Sequence, residues 1–361
     1  MKILFTGGGT LGSVTPLLAV YEELVRRESS RGKSPQALWI GTTTGPERAV
    51  VGVYGIPFFP IISGKLRRYF SITNFVDPLR ILIGMVQSVF HILRFQPDVI
   101  LGAGGFVSVP VIAAGFVLGK KSIILQLDLE PSLSNVICAR FATNIGVAVD
   151  EEKKYFAKEK TYCVGIPTRG NTTLAALCKK IRERFHIVPD DCIVTILGGG
   201  TGSKSINDLV EQSVEKIGTR AHIIHVTGLE KTGRSHELAQ RYPRYHPVEF
   251  TRDESIGYSA LATIVVTRAG MGTLAELSAL GKPTIVIPIP HSQQEKNADY
   301  FSERKAALLL SQKNLTSELF SEAVLNGLDN PLQQAELSRN IQNIFPTHAS
   351  ENVCNLIEKM I

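Results

Sequence analysis

The stretch Arg268-Ala-Gly-Met-Gly-Thr-Leu-Ala-Glu276, continued by Leu277-Ser-Ala-Leu-Gly-Lys-Pro-Thr-Ile-Val-Ile-Pro-Ile-Pro290, decides the fold. With the apolar run Thr263-Ile-Val-Val-Thr267 before it, it reads as strand, small-residue turn, helix and second strand. Gly270, Gly272 and Thr273 fall at the helix start, where unpaired backbone N–H groups and the positive dipole end suit a phosphate. Glu276 is a different tool, since a carboxylate accepts a pair of hydroxyl hydrogen bonds from a ribose or hexose. A phosphate seat beside a diol clamp outlines a nucleotide-sugar site. An ordinary βα turn accounts for the same residues, and the segment by itself leaves both readings open.

The rest of the chain supplies the context. At 361 residues it is long for a single core, so two domains are expected. Its 31 glycines and 20% charged residues fit an α/β protein rather than a disordered chain or a coiled coil. The net charge of +6 is a moderate basic excess, compatible with anionic substrates, anionic lipid or nucleic acid. Cys138, Cys163, Cys178, Cys192 and Cys354 are scattered and never spaced C-x-x-C, which argues against a disulfide framework or a zinc site and for reduced thiols in the cytosol. The start, Met-Lys-Ile-Leu-Phe, runs straight into glycines and reads as a strand, not a signal peptide; no charge-free apolar run is long enough to predict a spanning helix.

Strand Lys2–Thr6 leads into Gly7-Gly-Gly-Thr-Leu-Gly-Ser13 and a helix whose first turn accommodates Pro16. Gly7, Gly9 and Gly12 meet the G-x-G-x-x-G dinucleotide spacing, so a Rossmann oxidoreductase is one reading. The acid expected at the end of the second strand to bind ribose is missing: Ala37-Leu-Trp-Ile-Gly41 runs into Thr-Thr-Thr-Gly-Pro-Glu47. Lys65, Arg67, Arg68, Arg80 and Arg94 then outnumber Asp77 around a helix with the stripe Leu79, Ile83, Val86, Phe90 and Leu93. That is how a protein grips an anionic bilayer surface without spanning it; a core helix beside a solvated basic loop is the alternative. Further strands are expected at 98–102, 121–125, 144–149 and 161–164, with Gly165-Ile-Pro-Thr-Arg169 as a linker. A second glycine loop, Gly198-Gly-Gly-Thr-Gly202, follows strand Asp191–Leu197, and strands are expected at 221–228 and 247–251. His222 and His225 stand an odd number of residues apart on a strand and point to opposite faces, so they form no metal pair. No D-x-D metal motif occurs; Asp128-Leu-Glu130 is the nearest approach.

Seven ordered blocks carry a resemblance over nearly the whole chain. They are Gly8–Ser13, Gly102–Pro110, Pro131–Asn135, Gly165–Arg169, Leu197–Gly202, Arg268–Thr273 with Glu276, and Gln294–Asn297. Together they resemble the MurG family of UDP-N-acetylglucosamine transferases, which make lipid II. The resemblance implies a GT-B fold: two Rossmann-like, doubly wound α/β domains facing a central cleft. Residues 1–165 would form the acceptor and membrane-facing domain, with a C-terminal helix at about 340–361 packing back on it; residues 166–339 would form the donor domain. The implied reaction is inverting transfer of GlcNAc to the muramoyl 4-hydroxyl of an undecaprenyl-diphosphate-linked acceptor, for peptidoglycan synthesis.

By the same resemblance Glu276 binds the uridine ribose, and Met271, Gly272, Thr273 and Leu274 line the diphosphate and ribose. Gln294 and Asn297 meet the sugar, Arg169, Gly200 and Thr201 face uracil and phosphate, and Thr251 reads uracil through its backbone. Thr10, Leu11 and Gly12 supply donors from the first loop. A membrane-seating surface is implied, and Leu66, Arg67, Arg68, Phe70, Leu79, Ile83 and Phe90 are its candidates. The implied place is the cytoplasmic face of the inner membrane, as a peripheral protein with an anionic lipid surface and other cell-wall synthesis proteins as partners, and no nucleic acid. No cofactor is required, and a stimulating divalent cation is not predicted. The chain departs from the family where the base should be. Ser13 occupies the usual His position, Leu125-Gln-Leu-Asp128 replaces His-Glu-Gln-Asn, and Thr201 replaces a common Gln. Asp128 is the candidate base, ahead of Glu130 and His291. Two further readings share the same donor pocket: a GT-B enzyme with another acceptor, and a UDP-sugar-binding protein without catalysis.

Overall fold

A computed structural model of the chain describes residues 1–64, 73–169, 174–199, 202–228, 233–249 and 254–361. It divides into two compact units, Met1–Gly170 with Phe345–Ile361, and Asn171–Ile344. The boundaries thus fall at Gly170 and Phe345 rather than at 165 and 340.

Unit 1 is built on strands β1 (Lys2–Thr6), β2 (Gln36–Gly41), β3 (Phe58–Pro60), β4 (Val99–Gly102), β5 (Lys121–Gln126), β6 (Asn144–Val147) and β7 (Thr161–Cys163). They form one parallel sheet in the order β3-β2-β1-β4-β5-β6-β7. Helices α1 (Thr15–Ser30), α2 (Glu47–Gly52), α3 (Thr73–Phe95), α4 (Ser108–Val117) and α5 (Leu133–Phe141) flank it. Side chains alternate along each strand. Ile3, Phe5 and Trp39 enter a core on one face, while Leu4, Leu38 and Ile40 enter a core on the other. Both faces are covered, which is why the strands read as unbroken apolar runs.

Unit 2 repeats the plan. Strands β8 (Ile193–Leu197), β9 (His222–Val226), β10 (Tyr245–Val248), β11 (Ile264–Thr267), β12 (Thr284–Val286) and β13 (Leu308–Leu309) pair in parallel as β10-β9-β8-β11-β12-β13. Its helices are α6 (Leu174–Phe185), α7 (Lys204–Gly218), α8 (Gly233–Arg241), α9 (Ser255–Leu261), α10 (Met271–Leu280), α11 (Gln293–Glu303), α12 (Ser317–Leu328) and α13 (Pro331–Gln342). The strand expected at 247–251 lies two residues earlier, because Tyr245 is the buried residue that anchors it. β3 and β13, with three and two residues, are too short for sequence periodicity to reveal.

The last helix, α14 (Ala349–Glu358), returns to unit 1. Within the tail expected to be helical at about 340–361 the helix is α14, in unit 1, while α13 ends at Gln342 in unit 2. Val353, Cys354, Leu356, Ile357 and Met360 complete the core that α1 lines. Arg27 of α1 donates to Asn355 Oδ1 at 2.8 Å, to Glu358 Oε2 at 3.2 Å and to the Glu351 carbonyl at 3.2 Å.

In both sheets the strand order reverses beside the first strand, between β1 and β4 and between β8 and β11. Such switch points, at the carboxyl ends of the strands, are where open α/β sheets bind ligands. All four glycine turns, after β1, β4, β8 and β11, lie there.

Candidate active site

In unit 2 the decisive turn follows β11. The N-cap of α10 is Gly270, and among the described residues no side chain caps that end. Met271, Leu274, Ala275, Leu277 and Ser278 are buried, whereas Gly272, Thr273 and Glu276 are half-buried. Thr273 and Glu276, three residues apart, share the open face of the first helical turns. At the other end Gly281, at φ +62°, closes the helix in the left-handed conformation.

Arg268 fixes this turn. Its side chain is buried at the end of β11. One nitrogen donates to the carbonyls of Ile287 (2.8 Å) and Pro288 (3.3 Å) and to Gln312 Oε1 (2.6 Å); the other donates to Ser203 Oγ and Ser205 Oγ, each at 2.7 Å. Ser203 is the N-cap of α7, accepting from Ile206 N. One guanidinium thus joins the loop after β8, the loop after β12 and the α10 turn. The sequence assigns Arg268 no role; the available signal is a cation immediately after the buried strand Ile264–Thr267. Asn297, in α11, is buried and donates to the Ala269 carbonyl at 3.0 Å, and its Oδ1 has no partner among the described residues. Gln294 Oε1 accepts from Ile289 N at 3.2 Å. Gln294 and Asn297 therefore brace the loops on either side of the turn. Gly200, Thr201 and Thr251 lie outside the described residues, as do Leu66, Arg67, Arg68 and Phe70.

His225 illustrates how dry this unit is. Asn207 Oδ1 lies 3.1 Å from its Nε2, and the Tyr245 hydroxyl lies 2.8 Å from its Nδ1. Asn207 Nδ2 donates to the Thr227 carbonyl, so Oδ1 faces the ring and His225 donates to it. Burial pushes this histidine down to about 3, so the ring is neutral. His222 bonds instead to His246 at 2.9 Å and to Asp191 at 3.3 Å. The two histidines face opposite sides, and among the described residues no three His, Cys, Asp or Glu come together as metal ligands.

Unit 1 holds Thr10, Leu11, Gly12, Ser13, Asp128 and Arg169. Thr10 and Gly12 are exposed on the first glycine loop, and Leu11 to Ser13 make one 3-10 turn into α1. Ser13 is buried, and its hydroxyl is 3.2 Å from the Thr10 carbonyl and 3.4 Å from that of Gly8. Its proton serves the loop's own carbonyls, which makes Ser13 a brace.

Beyond β5 a pair of buried amides shapes the segment where the family pattern breaks. Asn135 Nδ2 donates to the Leu125 carbonyl (3.1 Å) and to Gln126 Oε1 (2.7 Å). Gln126 Nε2 in turn donates to the carbonyls of Asp128 and Glu130. The chain from 127 to 130 is wrapped around that amide, leaving the Asp128 and Glu130 side chains half-buried. Behind them Glu152 is buried and pushed up to about 9, chiefly by desolvation, with hydrogen bonds from Ala148 and Val149 opposing and the charge of Asp128 adding to the rise. At neutral pH it is a carboxylic acid.

On the outer side of unit 1 the stripe on α3 faces solvent. Leu79, Leu82, Ile83, Val86, Phe90 and Leu93 are all exposed, while Ser88 and Ile92 are buried. Residues Asp77–Phe95 are long and apolar enough to cross a membrane by length and composition, which sequence inspection did not predict. The charges Asp77, Arg80 and Arg94 stand near its ends, and the buried face holds it to its own unit.

Comparison with known proteins adds the lineage. Residues 3–147 match the glycosyltransferase family 28 N-terminal domain, and residues 193–352 match the family 28 C-terminal domain. A UDP-N-acetylglucosamine–N-acetylmuramyl-(pentapeptide) pyrophosphoryl-undecaprenol N-acetylglucosamine transferase of Bacillus cereus is 33% identical over 87% of this chain and 88% of its own. A protein of the same description from Clostridium botulinum is 31% identical over 95% of this chain and 97% of its own. The crystal structure of Acinetobacter baumannii MurG, 21% identical, superposes with a TM-score of 0.74 and covers 99% of both chains. The fold is GT-B.

Proposed function

The chain belongs to the MurG family within glycosyltransferase family 28, and from that premise we propose that it transfers GlcNAc from UDP-GlcNAc to the muramoyl 4-hydroxyl of an undecaprenyl-diphosphate-linked acceptor in peptidoglycan synthesis. The observation that carries the donor half is the open end of α10 at the switch point of unit 2, where Thr273 and Glu276 share one face. Backbone N–H groups there receive the diphosphate and stabilise its departing charge, and Glu276 receives the ribose hydroxyls. Arg268, Asn297 and Gln294 hold the turn in that shape.

The acceptor hydroxyl must lose its proton as it attacks C1. Ser13, whose hydroxyl is already directed to loop carbonyls, has no basic atom for this. Asp128 is the base: the Gln126 amide sets its backbone, its side chain is half-buried, and the neutral acid Glu152 behind it places no competing negative charge there. The apolar stripe of α3 seats unit 1 on the anionic cytoplasmic face of the membrane, where the lipid-linked acceptor resides.

The test is purified protein with UDP-GlcNAc and a lipid I analogue, followed by UDP release and disaccharide formation. Asp128→Asn is expected to lower kcat by about 10²-fold with the UDP-GlcNAc KM unchanged. UDP release only with a different acceptor would redirect the reading to another GT-B transfer. Near-wild-type turnover of Asp128→Asn would remove Asp128 as the base.

A further inference from the structure

The first glycine loop rests on a side chain that the reaction outlined above does not use. Glu47 opens α2 and is wholly buried. Its Oε2 accepts from the Gly9 backbone N–H at 3.2 Å. Its Oε1 accepts from the Thr42 backbone N–H at 2.7 Å and from the Thr42 hydroxyl, and that hydroxyl accepts from Gly45 N at 2.9 Å. The carboxylate lies so close to Gly8 and Gly45 that neither position has room for a Cβ, and Gly9 stands at φ +85°.

Burying a carboxyl group is costly unless donors surround it, and here the donors are the loops themselves. This is the acid that a dinucleotide-binding reading seeks at the end of β2. It arrives one turn later, from α2, and is directed beneath the glycine loop instead of outward to a ribose. A diphosphate seated on the Gly9 N–H would have to displace it. The loop after β1 is therefore a shaped platform anchored from below, and the exposed segment from Thr10 to Gly12 is the part it presents.

We propose that Glu47 is a positioning residue for glycosyl transfer: by holding the Gly9 peptide it fixes the Thr10–Ser13 turn at the head of α1 and thereby the surface on which the acceptor is aligned. The catalytic half of this proposal rests on the functional reading above; the loop-fixing half does not.

Glu47→Gln in the full chain is the test. The amide keeps the shape but has a single acceptor oxygen, so its NH₂ meets an N–H donor at either Gly9 or Thr42. Amide hydrogen exchange over residues 7–13 is expected to accelerate at least about tenfold, as loss of a local closed state requires. The acceptor kcat/KM is expected to fall about 10- to 100-fold, in the range for a misplaced reacting group. UDP affinity, measured by calorimetry, is expected to change less than the acceptor kcat/KM, because Glu276 and the α10 turn belong to unit 2 and only Thr10–Gly12 are expected to reach the nucleotide from this loop. Thr42→Val, which removes only the hydroxyl, serves where Glu47→Gln fails to fold and is expected to show the same pattern at smaller amplitude. Unchanged exchange at 7–13 in the folded variants would overturn the proposal. So would faster exchange with an unaltered acceptor kcat/KM, since Glu47 would then be structural only. A wild-type protein that binds UDP but transfers to no lipid-linked acceptor would overturn the functional reading instead, and the exchange measurement would still decide the loop.

Discussion

Replacing Arg268 with Lys keeps the charge and removes the fork, and its consequence can be worked from the contacts. Arg268 brings the four N–H groups of its two terminal nitrogens to five acceptors, two carbonyls, one amide oxygen and two serine hydroxyls, so one proton is shared. A lysine ammonium has three N–H groups on one atom, so at least one of those acceptors loses its partner. Hydrogen bonds to a charged group are worth about 1.5–3 kcal/mol each, which puts the loss at about 1.5 kcal/mol or more. The acceptors exposed to that loss include the N-cap of α7, so the damage reaches the loop after β8 as well as the α10 turn. Arg268→Lys is therefore expected to lower the denaturant midpoint of unit 2 and to weaken UDP binding about tenfold or more, while the fold of unit 1 is unaffected. Urea titration, with and without UDP, followed by calorimetry, measures both. A variant within about 0.5 kcal/mol of wild type that binds UDP equally well would refute the reasoning, because scattered surface substitutions already span that range.

Two further outcomes follow from α3 and Glu152. Val86→Asp with Phe90→Asp changes side chains that are 71% and 60% exposed, so stability should hold. Each is worth about 1–2 kcal/mol of apolar burial in lipid, and flotation with anionic vesicles should show on the order of 100-fold weaker binding; equal flotation would detach α3 from the membrane. Glu152 sits at about 9 against an ordinary value of 4.5, so its contribution to stability is full below 4.5 and is lost as pH rises through 9. Glu152→Gln removes that loss, and its melting temperature relative to wild type should climb between pH 5 and pH 9; a constant difference would mean Glu152 titrates normally.

The glycine loops and apolar strands were legible because both report local backbone demands: strand periodicity, close approach and helix initiation. The two sheets, their parallel order and the exposed face of α10 follow from those signals. Arg268, Asn297 and Glu47 were harder to read because their function is to receive or give hydrogen bonds across long sequence separations. Glu47 stands at the start of α2, not at a strand end, where a dinucleotide-binding pattern looks for its acid. Asn297 is expected to meet the sugar; what the sequence does not show is that its amide nitrogen donates to the turn carbonyl at Ala269. For α3 the amphipathic stripe was visible, but which face would be covered depends on α4 and Ile62, which no local pattern reports; Gly84 has no space for a Cβ beside the Ile62 carbonyl.

The return of α14 to unit 1 bears on how the molecule is made. A ribosome releases residues 1–170 long before 349–360, with all of unit 2 between them. During that interval the α1 side of the first sheet lacks Val353, Leu356 and Ile357, and Arg27 lacks Asn355 and Glu358. Unit 1, first to be synthesised, is the last to close, and a chain cut at the boundary between the units would separate a self-contained second unit from a first unit with an open core.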